Sequence, residues 1–162
     1  MTEIKNLLKS FGYAFSGIFT CILTERNMRI HLVCAIYMYS FLGLTDWFVL
    51  SRTDWAILFI ANAIVMMGEL INTAVEKTVD LVTSERKPLA KIAKDAAAGA
   101  VLIGAIFAVC VGIAVLGQRD AFIKMFGYFS ENISALIAFI VSFIIASVFM
   151  LKGLPKKGNS TE

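Results

Sequence analysis

Three polar residues interrupt a long apolar run in the segment GELINTAVEKTVD: Glu69, Asn72 and Glu76. Their spacing of three and then four residues sets all three side chains on one face of a helix. Ionisable groups near hydrocarbon are costly, and by default they mark a functional site whose partners can be named. A second polar knot, Lys94-Asp95 in KIAKDAAAGA, opens the next apolar segment. Two carboxylates and an amide facing a Lys-Asp pair are the ingredients of chemistry at a membrane surface. The competing reading is a set of polar contacts that only holds helices together.

The chemistry these groups suit is phosphoryl transfer. Glu76, with Glu25 from the charged hinge Glu25-Arg26-Asn27-Met28-Arg29, could hold Mg²⁺. That hard cation takes oxygen ligands and is usually shared with substrate phosphates. Lys94 and the basic loop Arg86-Lys87 could neutralise a polyphosphate. Glu69 lies about 10 Å along the helix from Glu76, at headgroup depth, where a carboxylate could accept the proton of a lipid hydroxyl. Transfer from a soluble nucleotide to a membrane alcohol depends mainly on positioning and charge neutralisation. The chain has no GxxxxGK[ST] loop, no GxGxxG and no HRD pattern, so a nucleotide site here is unorthodox.

The elements that must position these residues are membrane helices. Hydrophobic residues make up 59% of the 162, and 17% are charged; the mean hydropathy is +0.79. A soluble domain is nearer half apolar and a quarter charged, and one domain of this length cannot bury so much apolar surface. The net charge of +3 gives no case for nucleic acid. Cys21, Cys34 and Cys110 lie scattered in apolar stretches and read as reduced, small hydrophobes. The charged N-terminus lacks the pattern of a cleavable signal peptide.

Five helical segments are expected. In the first, Ile4, Leu7, Leu8, Phe11, Phe15, Ile18, Phe19 and Ile22 recur at helical spacing, while Lys5, Lys9 and Ser16 fall elsewhere. Such a helix lies in the interface plane. Spans follow from about Ile30 to Leu44, Thr53 to Leu81, Ala93 to Leu116 and Ile133 to Leu151. The second is about 43 Å long, more than a hydrocarbon core of about 30 Å. With Trp55 at one interface, Glu69 sits near the other, and Glu76 and Asp80 project beyond it. The domain reading is 1–29 surface helix and hinge, 30–117 three-span core, 118–152 linker and additional span, and 153–162 tail.

Charge asymmetry orients the bundle. One side holds Lys5, Lys9, Arg26, Arg29, Lys77, Arg86, Lys87, Lys91, Lys94, Lys152, Lys156 and Lys157; the other holds only Arg52, Arg119 and Lys124. The first side is expected to be cytoplasmic, with both termini inside and Trp47 and Trp55 in an outer aromatic belt. Glu25 and both polar clusters fall on that cytoplasmic side.

Four stretches now carry a resemblance: GYAFSGI (Gly12–Ile18), ERNMRIH (Glu25–His31), GELINTAVEKTVDL (Gly68–Leu81) and PLAKIAKDAAAGAVLIGAI (Pro88–Ile106). Together they resemble the small bacterial membrane lipid kinases, the diacylglycerol kinase and undecaprenol kinase family. The resemblance implies a homotrimer of three-span subunits in the bacterial cell membrane, with ATP, Mg²⁺ and a lipid alcohol meeting at subunit boundaries. It makes Glu69 the catalytic base and Glu25 and Glu76 the metal-chelating carboxylates. Tyr13, Asn72, Glu85, Arg86, Lys87, Lys94 and Asp95 match nucleotide-side positions, with Lys94 on phosphate. Asn6 and Ala98 fall on the lipid-substrate side.

The departures from the family pattern carry information of their own. Position 87 is Lys where many members have His. Asn6 stands where the diacylglycerol-specific branch has Arg, and Ala14 and Ala98 replace hydroxyl residues of that branch. ERNMRIH and AKDAAAGAVL resemble the Gram-positive branch, which implies undecaprenol as the alcohol, with diacylglycerol the alternative. The fourth span has no counterpart in the minimal family architecture.

Several features have blander readings. His31 reads as an interfacial or hydrogen-bonded residue, the small residues from Ala96 to Ala100 with Gly104 as helix packing, and Asp80 as either a solvated helix end or a ligand. Arg26 and Arg29 read as contacts to anionic headgroups. A proton or ion transporter would spread polar groups through the membrane depth, but from Trp55 to Gly68 the second span has only Asn62. An accessory subunit would not need clustered carboxylates beside a basic loop.

Overall fold

The computed structural model describes residues 2–85 and 87–152. Arg86, Lys156 and Lys157 lie outside the described residues, as does the 153–162 tail. The described chain is all-α: α1 (Thr2–Thr24), α2 (Arg26–Leu44), α3 (Arg52–Val82), α4 (Pro88–Leu116), α5 (Arg119–Glu131) and α6 (Ile133–Lys152).

Local sequence sets the helix boundaries. Glu25 is extended and separates α1 from α2. Ser51 starts α3 with a reciprocal cap: its Oγ accepts from the Asp54 N–H at 3.1 Å, and Asp54 Oδ2 accepts from the Ser51 N–H at 2.8 Å. These two bonds satisfy donors that an open helix end would leave unpaired. Pro88 opens α4, where its missing N–H and fixed φ cost nothing.

The chain is an integral membrane protein, and its burial pattern is that of one. In α4 only Val101 is buried, and α6 buries no residue at all. Apolar helices with apolar outer surfaces suit hydrocarbon, not water. Among the described residues, α1, α3, α4 and α6 are long and apolar enough to cross a membrane. The first expected span, α2, does not reach that standard, because Arg26, Asn27, Arg29 and His31 fill its first two turns. It begins about one turn earlier than the sequence suggested. Conversely, α1 is apolar enough to span, but residues 3–20 are all exposed and Cys21 is its first buried side chain. It joins the bundle through its last turns, with Cys21 Sγ 3.3 Å from Thr73 Oγ1 of α3.

The α3–α4 pair is the most extensive contact in the bundle. Gly68 and Gly104 let these helices approach: a Cβ on Gly68 would touch Val101 Cγ2 at 3.6 Å, and one on Gly104 would touch Ile64 Cγ2 at 3.7 Å. Small-residue packing was expected here. It covers Gly104 but not Gly99, where an added Cβ would meet no other part of the described residues within 4 Å.

Two expectations need correction. The described residues form six helices, not five, because α5 forms inside the segment read as a linker. It is short and amphipathic, so it lacked the apolar signature of a span. Arg29 is not a headgroup contact but is 5% exposed. Its Nη1 donates to the carbonyls of Ile22 (3.3 Å) and Leu23 (3.1 Å), and its Nε to that of Met150 (3.3 Å). These are last-turn carbonyls of α1 and α6, which a cation satisfies well.

Candidate active site

The ends of α1, α3 and α6 and the starts of α2 and α4 meet at one end of the bundle, the end that carries most of the basic residues. Two sites lie there, at different depths.

The deeper one is a cavity of about 300 Å³ between α2, α3 and α4. Asn27, His31, Glu69 and Asn72 supply its polar wall, and Ile30, Ala98, Val101, Leu102 and Ala105 its apolar wall. Glu69 is 2% exposed. Its Oε1 stands 3.6 Å from His31 Nε2 and has no hydrogen-bond partner among the described residues. A buried carboxylate oxygen without a donor is costly, so its persistence points to a ligand that supplies one. Asn72 is also buried; its Nδ2 donates to Glu76 Oε1 at 3.1 Å, while its Oδ1 has no partner among the described residues. The three-residue stripe is therefore real, and its buried members each keep one oxygen in reserve.

Glu76 is half-buried at the wetter end of the stripe. Glu25, also half-buried, accepts from Thr24 Oγ1 at 3.0 Å and lies 3.9 Å from Lys77 Nζ. Among the described residues no three His, Cys, Asp or Glu side chains gather into a metal cage. Glu25 and Glu76 supply oxygen donors of the type a hard cation takes, with phosphate oxygens able to complete its shell.

The shallower site is an open cleft of about 800 Å³ where α3 turns into α4. Asp80, Glu85, Lys87, Lys91, Lys94 and Asp95 line it. Lys94 Nζ pairs with Asp80 Oδ1 at 2.6 Å, and Lys91 Nζ with Asp95 Oδ2 at 2.5 Å. Lys87 Nζ lies 3.6 Å from Glu85 Oε2. Lys94 and Asp95 therefore meet Asp80 and Lys91, rather than the buried stripe they were expected to face.

Of the sequence-derived site residues, Glu69, Asn72 and Ala98 share the deep cavity. Glu85, Lys87, Lys94 and Asp95 share the cleft. Tyr13 and Asn6 are exposed on α1 and join neither, and Arg86 is outside the described residues. Sequence reasoning passed over Asn27 and Lys91, and it set His31 aside. Lys91 was legible as an i, i+4 partner of Asp95. Asn27 and His31, four residues apart at the start of α2, carried the signal of a shared helical face.

Residues 12–116, more than half of the chain, match the sequence profile of the family described as prokaryotic diacylglycerol kinase. The chain belongs to that family. It is thus a lipid kinase, as the resemblance of its motifs implied. An undecaprenol kinase of Bacillus subtilis (strain 168) is 41% identical over 115 residues, covering 70% of this chain and 89% of that protein. A diacylglycerol kinase of Synechocystis is 44% identical over 108 residues, covering 66% of this chain and 60% of that protein. A diacylglycerol kinase of Escherichia coli (strain K12) is 29% identical over 108 residues, or 67% of this chain and 86% of that protein. The matched part of the kinase ends at α4; α5 and α6 lie beyond it.

Proposed function

We propose that this lipid kinase phosphorylates undecaprenol, with Mg-ATP as donor, at the cytoplasmic face of the bacterial cell membrane. The observation that carries the reading is the buried Oε1 of Glu69, which has no hydrogen-bond partner among the described residues, in a side chain that lines a cavity whose other wall is Ala98, Val101, Leu102 and Ala105. An isoprenoid alcohol brings one hydroxyl donor and an apolar tail, which is what that cavity lacks and what it can hold.

Glu69 accepts the hydroxyl proton as the lipid oxygen bonds to the terminal phosphorus of ATP and the bond to ADP breaks. Asn72 supports the phosphate between the two depths. Lys94 contacts phosphate once it exchanges Asp80 for the nucleotide, and Glu85, Arg86, Lys87, Asp95 and Tyr13 serve the nucleotide side. Glu25 and Glu76 hold Mg²⁺, which supplies charge neutralisation for the phosphates when bound. Asn6 lies on the lipid side.

The same reading makes the enzyme a homotrimer with both termini cytoplasmic. The openness of the cleft and the separation of Tyr13 and Asn6 from both sites support completion of the site by a neighbouring subunit. The gathering of basic residues at one end supports the orientation.

Diacylglycerol is the second reading, favoured by the 44% identity to the Synechocystis diacylglycerol kinase. Purified protein in detergent, given ATP, Mg²⁺ and each alcohol separately, decides between them. The proposal expects kcat/KM for undecaprenol to exceed that for diacylglycerol at least tenfold. The reverse order transfers the assignment to diacylglycerol, and turnover of neither removes both.

A further inference from the structure

A second cavity lies at the opposite end of the bundle, away from the carboxylates. It has a volume of about 770 Å³ and is bounded by α2, the loop after it, α5 and α6. Tyr128, Phe129, Phe139 and Ser142 on its wall lie beyond the stretch of chain that matches the family. The two added helices therefore build a site that the kinase core alone does not have.

Its chemistry is specific. The ring of Trp47 lies 5.8 Å from Phe41, 5.4 Å from Tyr128 and 6.1 Å from Phe129, centre to centre. A cation is attracted to an aromatic face from within about 6 Å of its centroid, so one cation at this cluster can meet more than one ring. Asp46 is the charged residue on the wall. It is exposed and forms no ion pair among the described residues. Arg52, Arg119 and Lys124, the basic residues of this end, do not line the cavity. Ser40 adds a hydroxyl that could accept a further hydrogen bond. The floor runs from Leu44 down to Ile36, a depth of about 12 Å along the helix, and is apolar enough for an acyl chain.

We infer that this cavity binds a phospholipid bearing a primary ammonium headgroup. The ammonium sits between Asp46 and the Trp47–Tyr128 rings, and one acyl chain runs along α2. A carboxylate beside aromatic faces attracts a cation and repels an anion, so an anionic or uncharged headgroup is disfavoured. The site is distinct from that of the lipid alcohol, whose cavity is lined by Asn27, Ile30 and His31 at the start of α2 and by Glu69 of α3.

The test uses the full-length, delipidated protein in detergent. Trp55→Phe leaves Trp47 as its single tryptophan. Emission is followed while short-chain phosphatidylethanolamine, phosphatidylglycerol or an isoprenoid alcohol is added. The inference expects a saturable change with phosphatidylethanolamine at a Kd at least fivefold below that for phosphatidylglycerol. It expects Asp46→Asn, an exposed substitution that leaves the fold intact, to erase the difference. Equal affinity for the two phospholipids, discrimination that survives Asp46→Asn, or no response to either overturns it. Equally tight binding of the isoprenoid alcohol also overturns it, since the cavity would then hold a chain without reading a headgroup.

Discussion

Oε1 of Glu69 stands 3.6 Å from Nε2 of His31 on the facing helix, and no hydrogen bond reaches it among the described residues. A fully buried acceptor is thus left unsatisfied in a side chain that lines a cavity. Replacing this carboxylate by the isosteric amide keeps the shape and removes the proton acceptor. Glu69→Gln should lower kcat at least about 100-fold, the scale of a lost general base. Its elution and thermal unfolding in detergent should match wild type. Substantial turnover in that variant would remove Glu69 as the base.

Glu76 accepts from Asn72 and faces the wetter end of the stripe. If it shares a cation with phosphate, its loss weakens metal affinity more than it weakens binding of the lipid alcohol. Glu76→Ala should raise the Mg²⁺ concentration for half-maximal activity several-fold, with KM for the alcohol little changed. A metal titration that superimposes on wild type would exclude it as a ligand.

Lys94 and Asp80 form a partly exposed pair at 2.6 Å, bridging α3 and α4. Such pairs contribute about 0–1 kcal/mol, so structure alone does not explain the lysine. Lys94→Ala should raise KM for ATP about tenfold or more, a loss of about 1.4 kcal/mol. Asp80→Asn frees the lysine and should leave KM unchanged or lower. If the two variants weaken ATP equally, the pair is acting as a joint between helices and not as a phosphate contact.

The stripe on α3 was legible because polar residues stand out sharply against an apolar run, and helical spacing fixes which of them share a face. The same contrast made α3, α4 and α6 readable as spans. What the sequence did not reveal depends on contacts across helices. Lys94 and Asp95 are neighbours in the chain, but a helix turns about 100° per residue, and each finds a different partner. His31 begins an apolar helix like any interfacial histidine, and only the approach of α3 brings it to Glu69. α5 was missed because a short amphipathic helix has neither the length of a span nor the Pro and Gly content of a loop. Arg29 was misread because its ligands are backbone carbonyls, which leave no trace in side-chain patterns.

That arginine is also where the added helix meets the catalytic end. Its guanidinium holds carbonyls of Ile22 and Leu23 at the end of α1 and of Met150 near the end of α6. Glu25 lies two residues beyond Leu23, in the extended link between α1 and α2. Removing the guanidinium leaves three carbonyls short of a donor and frees that link. A hydrogen bond to a charged group contributes about 1.5–3 kcal/mol, so Arg29→Leu should lower the unfolding temperature in detergent by several degrees. Because α1 then loses its fixed exit angle, kcat/KM at limiting Mg²⁺ should fall more than at saturating Mg²⁺. Arg29→Lys keeps the charge but cannot reach all three carbonyls from one planar fork, and should recover only part of both losses. Full stability and an unchanged metal dependence in Arg29→Leu would show that α6 and the hinge are independent.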